Sequence, residues 1–255
     1  MADAGTLHAF GLGLLSASGL IGGALGGTFV PLRHRGIASL MALGAGVLLA
    51  VFALDLVASA MEEAGSARTM MGLLGGAAAF SGTNAWLSTR GAKHRKRCCE
   101  CVKQISETDQ PGSGSAIVLG SVMDAVPEAL VLGLALRTQG APDLALAAAF
   151  AIANVPEAWS SASGMKLAGR SKVYVFGAWS FVAIATGVAG AVGYVMLSAD
   201  EVFAGLLAAV AAGALLAMVV ETMVPEAFSH GARLSGTLAT VGFSALLGLL
   251  WLLHG

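Results

Sequence analysis

Four polar side chains occur at helical spacing inside two apolar stretches of this sequence. Asp124 and Glu128 are four residues apart, and Asn154 and Glu157 are three apart, so a helix presents each pair on one face. A proline directly precedes each glutamate, and a proline inside a helix removes one backbone hydrogen bond and leaves a carbonyl oxygen free. Carboxylates and freed carbonyls together supply oxygen ligands, so the two stretches have the chemistry of a cation site.

Other carboxylates also lie in or beside apolar runs. Asp55 and Glu221 are inside long hydrophobic stretches, and Glu226 belongs to a third Pro-Glu pair. We expect no basic side chain to pair with the acids inside these stretches. Without such a partner, a carboxyl group that leaves water is either protonated or neutralised by a bound cation. One such group fits a structural, protonated acid, whereas several of one sign favour a cation pathway. Asp55, Glu221 and Glu226 are therefore candidate pathway residues.

The elements that must position these groups are predicted to be transmembrane helices. Of the 255 residues, 56% are hydrophobic and 11% charged, whereas a soluble domain carries about 25% charged residues. A run of about 20 apolar residues crosses a bilayer as a helix. Eight such windows are present, at residues 8–30, 37–61, 69–89, 115–136, 143–167, 173–198, 202–224 and 236–254. We predict an all-α membrane protein with eight transmembrane helices in a single domain, residues 1–255.

The placement of lysine and arginine predicts the orientation, because cytoplasmic loops are enriched in both. All of the 14 basic residues except Arg68 and Arg137 lie on one side of the eight windows. Six of them belong to the polar segment 90–115, "RGAKHRKRCCECVKQISETDQPGSGS". We expect this segment to be a cytoplasmic loop, partly disordered, that separates the first three spans from the last five. Eight spans then leave both termini outside the cytoplasm.

The second and seventh spans are similar in sequence. "GAGVLLAVFALDLVASAMEEA" and "AAGALLAMVVETMVPEAFSHG" each begin with small residues, continue with Leu-Leu-Ala and then reach a carboxylate. Because these two spans run in opposite directions under the predicted orientation, the similarity predicts an inverted repeat of spans 1–3 and 6–8 around spans 4 and 5. Such a 3+2+3 arrangement is typical of secondary transporters, whose substrate site lies near the membrane midplane.

With these features the sequence resembles the ZIP (Zrt/Irt-like) family of divalent metal transporters, in a divergent bacterial-type branch. The resemblance covers nearly the whole chain. It is carried by the eight spans, the basic loop after span three, and the motifs "DAVPEA" from Asp124 and "ANVPEA" from Ala153. It implies transport of a divalent cation into the cytoplasm by alternating access across a bacterial inner membrane. Zinc is the first candidate, with iron, manganese, cobalt and cadmium as alternatives; the ion is the substrate, and no organic cofactor is expected.

Two departures from the family pattern define the expected site more closely. The histidine that usually begins each motif is absent, so the ligands are all oxygen donors, which suits manganese, iron and cobalt as well as zinc. The inferred ligands are Asp124, Glu128, Asn154 and Glu157. Some family members bind a second ion through positions that here hold Ala125 and Ile184, and neither side chain is a donor. We therefore expect one ion.

A separate set of metal-binding side chains lies in the basic loop. These are His94, Cys98, Cys99 and Cys101. Thiolates and imidazole bind zinc well, which suggests transient metal capture; reduced cytosolic cysteines with no ligand are the competing interpretation. We expect the basic run itself to fix the topology and to contact anionic lipid headgroups, not nucleic acid.

Two other classes of function remain as alternatives. One is an intramembrane enzyme: no predicted span holds a serine paired with a histidine or the His-Glu-x-x-His pattern, and Asp55 and Asp124 could in principle form an aspartyl dyad. Because the Pro-Glu repeats and the other carboxylates do not fit that mechanism, we expect no enzymatic activity. A metal-binding membrane sensor or scaffold that does not transport is the stronger alternative. The many small residues, including 35 glycines, allow helices to approach closely and also permit a homodimer.

Overall fold

The computed structural model describes residues 3–30, 32–93, 95–96, 104–196, 201–228 and 234–254. Within these residues the regular structure is helical and there is no strand. The α-helices are α1 (Ala4–Phe29), α2 (His34–Val51), α3 (Val57–Ala64), α4 (Ser66–Leu87), α5 (Ser113–Gln139), α6 (Leu144–Leu167), α7 (Lys172–Met196), α8 (Glu201–Met218), α9 (Val224–Ala227) and α10 (Ser235–His254). The prediction of an all-α chain is confirmed for the part that the structure describes.

Among the residues that the structure describes, six helical segments are long and apolar enough to cross a membrane. They are Ala4–Phe29, His34–Ala64, Ser113–Thr138, Lys172–Met196, Val202–Ala227 and Ser235–Leu252. Their outer faces carry exposed large apolar side chains, among them Leu7, Phe181 and Trp251. Long helices with apolar outer faces are what a hydrocarbon solvent requires, because each backbone polar group is satisfied within its own helix. The chain is an all-α integral membrane protein.

Helices α4 and α6 occupy the other two predicted windows, 69–89 and 143–167, and are less apolar than these six. In α6 the polar residues are mostly buried, including Asn154, Glu157 and Ser160. This burial follows from the position of α6, which packs against α1 and α2 and also contacts α5, α7 and α10. A helix that is covered by other helices can carry polar side chains without exposing them to lipid.

Two of the long helices contain a π-helical turn at the point where the sequence carries a carboxylate. Helix α2 continues into α3 through the π turn Phe52–Leu56, and α8 continues into α9 through the π turn Val219–Met223. Asp55 lies in the first turn and Glu221 in the second. Such turns are rare and occur frequently at functional sites. The similar sequences of the second and seventh spans therefore have similar local structure.

The helix contacts occur in matched pairs. The contact of α1 with α6 corresponds to the contact of α7 with α5. In the same way, the contact of α2 with α6 corresponds to that of α8 with α5. The contact of α10 with α2 corresponds to that of α4 with α8. Helices α1 and α7, which correspond to each other, also pack against each other. Helices α5 and α6, which carry the predicted ligands, therefore lie between two sets of helices with equivalent contacts.

Glycines in α1 allow its close approach to α6. A Cβ atom at Gly23 would lie 2.3 Å from the carbonyl oxygen of Val155, and one at Gly19 would lie 1.8 Å from that of Ala151. Both distances are far below van der Waals contact, so only glycine permits this backbone separation. The glycine contacts hold α1 against the part of α6 that carries Asn154.

The connection between α4 and α5 has a defined structure just before α5. The backbone N–H groups of Gly112 and Gly114 donate to the carboxylate of Glu107 at 2.6 and 2.9 Å. These hydrogen bonds hold the pKa of Glu107 below its usual value, and the negative charge is favourable at a helix N-terminus. Glu107 thereby fixes where α5 begins.

Candidate cation site

The four predicted ligands lie near the middle of the two central helices. Asp124 and Glu128 are on α5, Asn154 and Glu157 are on α6, and both helices continue through the proline that precedes the glutamate. All four side chains are buried, with relative exposures of 1–4%. Carboxyl groups at this depth need a partner, since an isolated buried charge is very costly.

One hydrogen bond joins α5 directly to α6 at the site. The side-chain amide of Asn154 donates to Glu128 Oε2 at 3.1 Å. The same amide nitrogen also lies 3.3 Å from the carbonyl oxygen of Ser16 on α1. Asn154 therefore connects three helices, and its position depends on the glycine-mediated contact between α1 and α6.

The carboxylates also have basic partners, so the expectation that they have none was wrong. Arg95 lies against Asp124 in a two-pronged contact, with Nη2 2.9 Å from Oδ1 and Nε 3.2 Å from Oδ2. Lys96 Nζ lies between two carboxylates, 3.1 Å from Asp124 Oδ2 and 2.8 Å from Glu157 Oε1. Both basic side chains are themselves buried, at 4% and 5% relative exposure. Paired and hydrogen-bonded charges are the form in which buried ions are tolerated.

Polar contacts to the backbone hold these two basic residues in place. The hydroxyl of Ser160 donates to the carbonyl oxygen of Lys96 at 2.6 Å. The side-chain amide of Gln104 donates to the carbonyl oxygens of Arg95 at 2.8 Å and Ser161 at 3.1 Å. The loop is therefore bound to α6 through its backbone as well as to the site through its charges.

A hydrogen-bonded chain extends from Arg95 to the π turn of the seventh span. Arg95 Nη1 donates to Asn84 Oδ1 at 2.5 Å, and the Asn84 amide donates to Glu221 Oε2 at 2.7 Å. The hydroxyl of Ser81 donates to the other oxygen of Glu221. Glu221, predicted as a pathway residue, is thus linked to the central carboxylates through Asn84 and Arg95.

The other two predicted pathway residues lie elsewhere. Asp55 lines a small cavity of about 30 Å³ together with Glu63 and Thr138, a residue at the far end of α5 from the basic loop. Glu226 is buried in α9 at 2% relative exposure. The structure therefore links Glu221 to Asp124 through Asn84 and Arg95, and it places Asp55 in a separate cavity.

The loop residues suggested for metal capture, His94, Cys98, Cys99 and Cys101, lie outside the described residues. Across the ranges that the structure describes, no three or more His, Cys, Asp or Glu side chains converge as a metal-binding group. In this arrangement Asp124 and Glu157 are turned to Arg95 and Lys96. A cation could use the carboxylate oxygens only after these basic side chains had moved away.

Sequence reasoning missed six residues of this site, namely Ser81, Asn84, Arg95, Lys96, Gln104 and Ser160. The spacing of Ser81 and Asn84, three residues apart in a predicted span, places both on one helix face and could have indicated a polar contact. For Arg95 and Lys96 the only signal was that the buried acids had no basic partner among the predicted spans. A basic run after a span is also the ordinary topology signal, so its sequence does not distinguish a buried pair from a solvated one.

No known protein-family model matches this sequence, and no characterised protein gives a significant sequence match.

Proposed function

We propose that this chain is a transporter that carries a divalent metal cation into the cytoplasm by alternating access. The observation that carries the proposal is a set of three carboxyl groups and one amide, buried in mid-helix on α5 and α6 and joined across the two helices by the Asn154–Glu128 hydrogen bond and by Lys96. Acidic side chains are expensive at this depth, and inside membrane helices they commonly mark ion pathways. The four groups supply oxygen ligands of the kind that divalent cations use.

The matched helix contacts support an alternating-access mechanism. In the proposed 3+2+3 arrangement, the spans built on α1, α2–α3 and α4 form one repeat, and those built on α7, α8–α9 and α10 form the inverted one. The equivalent π turns at Asp55 and Glu221 are consistent with this relation. In such a protein the substrate site lies where the repeats meet, and relative movement of the repeats exposes it to each side in turn.

The proposed topology has eight spans, with α4 and α6 crossing the membrane beside the six more apolar segments. The basic segment 90–115 then faces the cytoplasm, and both termini face away from it. Most lysines and arginines support this orientation. The resemblance to ZIP transporters favours a bacterial inner membrane, with the lipid bilayer as the surrounding partner and a homodimer as a candidate assembly.

The proposed substrate is zinc first, on the family resemblance, with manganese, iron, cobalt and cadmium as the alternatives that an all-oxygen site admits. The ligands are Asp124, Glu128, Asn154 and Glu157, and no organic cofactor or catalytic residue is part of the proposal. A metal-binding sensor or scaffold that holds the ion without moving it is the competing proposal.

An uptake assay in bacteria that lack their own metal importers tests the proposal. Wild-type protein is expected to raise cellular zinc or manganese, and Glu128→Ala and Glu157→Ala are each expected to abolish the increase. Glu62→Ala, which changes an exposed carboxylate at the end of α3, is the matched control and should retain uptake. Membrane abundance is measured for every variant. Binding of the metal to the purified protein without any uptake would favour the sensor or scaffold.

A further inference from the structure

Two residues of the basic loop take the place that the proposed function gives to the transported ion. Arg95 and Lys96 contact Asp124 and Glu157 at 2.8–3.2 Å. We infer that this pair is a tethered counter-cation, which closes the site from the loop side and must leave before a metal ion can bind there. This inference rests on the proposed function, since it concerns regulation of the same site.

The charges of the two residues support an exchange of this pair for a divalent ion. The Arg95–Lys96 pair carries two positive charges, the same as one divalent cation, so replacing the pair by the ion leaves the buried carboxylates equally neutralised. A monovalent ion would leave one charge uncompensated, and buried uncompensated charge is strongly unfavourable. The exchange therefore selects for doubly charged ions even before ligand geometry is considered.

Geometry supports a reversible closure. Residues 95 and 96 are in a turn outside the helices. Their backbone is held by the side chains of Ser160 and Gln104 and by the hydrogen bond that the Arg95 N–H donates to the carbonyl oxygen of Ala92. Gly91, just before them, has a φ of 103°, a conformation that other residues adopt only under strain. None of these contacts is a backbone hydrogen bond within a helix, so residues 95 and 96 can leave without unfolding a helix.

Leaving the site would also release the contact that joins it to the seventh span. Arg95 donates to Asn84, which in turn donates to Glu221 in the π turn. Removal of the guanidinium therefore changes the hydrogen bonding of α4 and α8 together with that of α5. The occupancy of the site and the position of the loop are thereby coupled to helices of both proposed repeats.

Trypsin cleavage of the purified full-length protein tests the inference directly. Trypsin must take up the arginine or lysine side chain before the bond it cuts, so it cannot cut after Arg95 or Lys96 while they are buried in the site. Lys93 is exposed in the same segment and serves as the internal reference. Initial cleavage rates at each position are measured by mass spectrometry with and without zinc or manganese chloride, and with sodium chloride at equal ionic strength.

We expect a saturating divalent ion to raise cleavage after Arg95 and Lys96, relative to Lys93, by about tenfold or more, as a shift from a closed to an open population predicts. Sodium should have no such effect. Rapid cleavage after Arg95 and Lys96 in the absence of metal, or an unchanged ratio in a protein that calorimetry shows to bind the metal, would overturn the inference and leave the proposed function standing. A protein that binds neither metal would overturn both.

Substitution of the pair gives an independent measurement. Arg95→Gln and Lys96→Gln together remove the competing charges, so the apparent affinity for zinc or manganese should rise by about tenfold. The reason is that only molecules with an open site bind the ion, so the apparent affinity equals the intrinsic affinity multiplied by the open fraction. The control Lys93→Gln changes an exposed charge of the same run and should leave the affinity unchanged. An unchanged affinity in a folded double variant would contradict the inference; if the double variant does not fold, the cleavage measurement on the unmodified chain decides alone.

Discussion

At the scale of single residues, the site is defined by how each buried acid is neutralised. Asp124 is held by both Arg95 and Lys96, Glu157 by Lys96, and Glu128 accepts a hydrogen bond from Asn154. The spacing of these residues predicted that each pair shares one helix face, because each pair follows the helical repeat. Spacing alone does not say whether the two faces meet, because that depends on how α5 and α6 pack. Their basic partners could not be predicted, because they come from a loop whose path depends on tertiary contacts.

Binding of one ion per chain is the first prediction at this scale. A second ion would need its own donors, since two dications repel strongly in a medium of low dielectric. Of the two positions that would supply them by family resemblance, Ala125 has no donor side chain and Ile184 is on an exposed face, at 57% relative exposure. Calorimetry on the purified protein should give a stoichiometry of one that is lost in Glu157→Ala. A stoichiometry of two, with both ions lost in that variant, would refute the one-ion site.

Metal preference is the second prediction. Asp124→His introduces an imidazole, which zinc binds better than manganese does, so the ratio of zinc to manganese uptake should rise by about tenfold. Asp124→Asn is the control, because it removes the same negative charge without adding imidazole. Equal selectivity in the two variants would mean that residue 124 does not face the transported ion.

At the scale of elements, the position of α6 depends on its contact with α1. The sequence "SGLIGGALGG" was predicted to lie in a membrane span. The structure shows that four of its five glycines face α6, while a Cβ atom at Gly22 would meet no other atom within 4 Å. Which glycines make the contact could not be told from the sequence, because neighbouring glycines are equally small. The π turns at Asp55 and Glu221 were also beyond prediction, since no residue pattern specifies them.

Substitution of one glycine tests this element. Gly23→Ala places a Cβ 2.3 Å from the carbonyl oxygen of Val155, so we expect a loss of about 1–3 kcal/mol in unfolding free energy, typical of overpacking. The neighbouring Gly22→Ala adds the same methyl group in open space and is the matched control. Stability is measured by thermal unfolding in detergent. Equal melting temperatures for the two variants would show that α1 does not approach α6 as closely as described.

At the scale of the whole molecule, the sequence predicted an all-α membrane protein because apolar run length is a direct physical requirement of the bilayer. The helix bounds agree with the predicted windows to within a few residues in most cases; the second predicted span, for example, corresponds to the continuous helical segment His34–Ala64. The matched packing pairs could not be predicted in detail, because similarity between two apolar helices is a weak guide to their contacts. The matched pairs can be identified only from the contacts between all the helices in the structure.

The eight-span topology is tested by labelling single cysteines with a membrane-impermeant maleimide, in a background where the three native cysteines are replaced by serine. Arg68→Cys and Arg137→Cys should react in intact cells, and Lys93→Cys and Lys172→Cys only after permeabilisation. These exposed positions flank α4 and α6, the two least apolar predicted spans. If the two positions that flank either helix react alike in intact cells, that helix does not cross the membrane.

In the proposed mechanism the chain moves a divalent cation through the carboxylate site of α5 and α6. The most direct measurement is metal uptake into liposomes that contain only the purified protein and an internal zinc- or manganese-sensitive dye. We expect saturable uptake by the wild-type protein, uptake near the level of empty liposomes for Glu128→Ala and Glu157→Ala, and wild-type rates for Glu62→Ala. Wild-type liposomes that take up no more metal than empty ones, or Glu157→Ala liposomes that take it up at the wild-type rate, would contradict it.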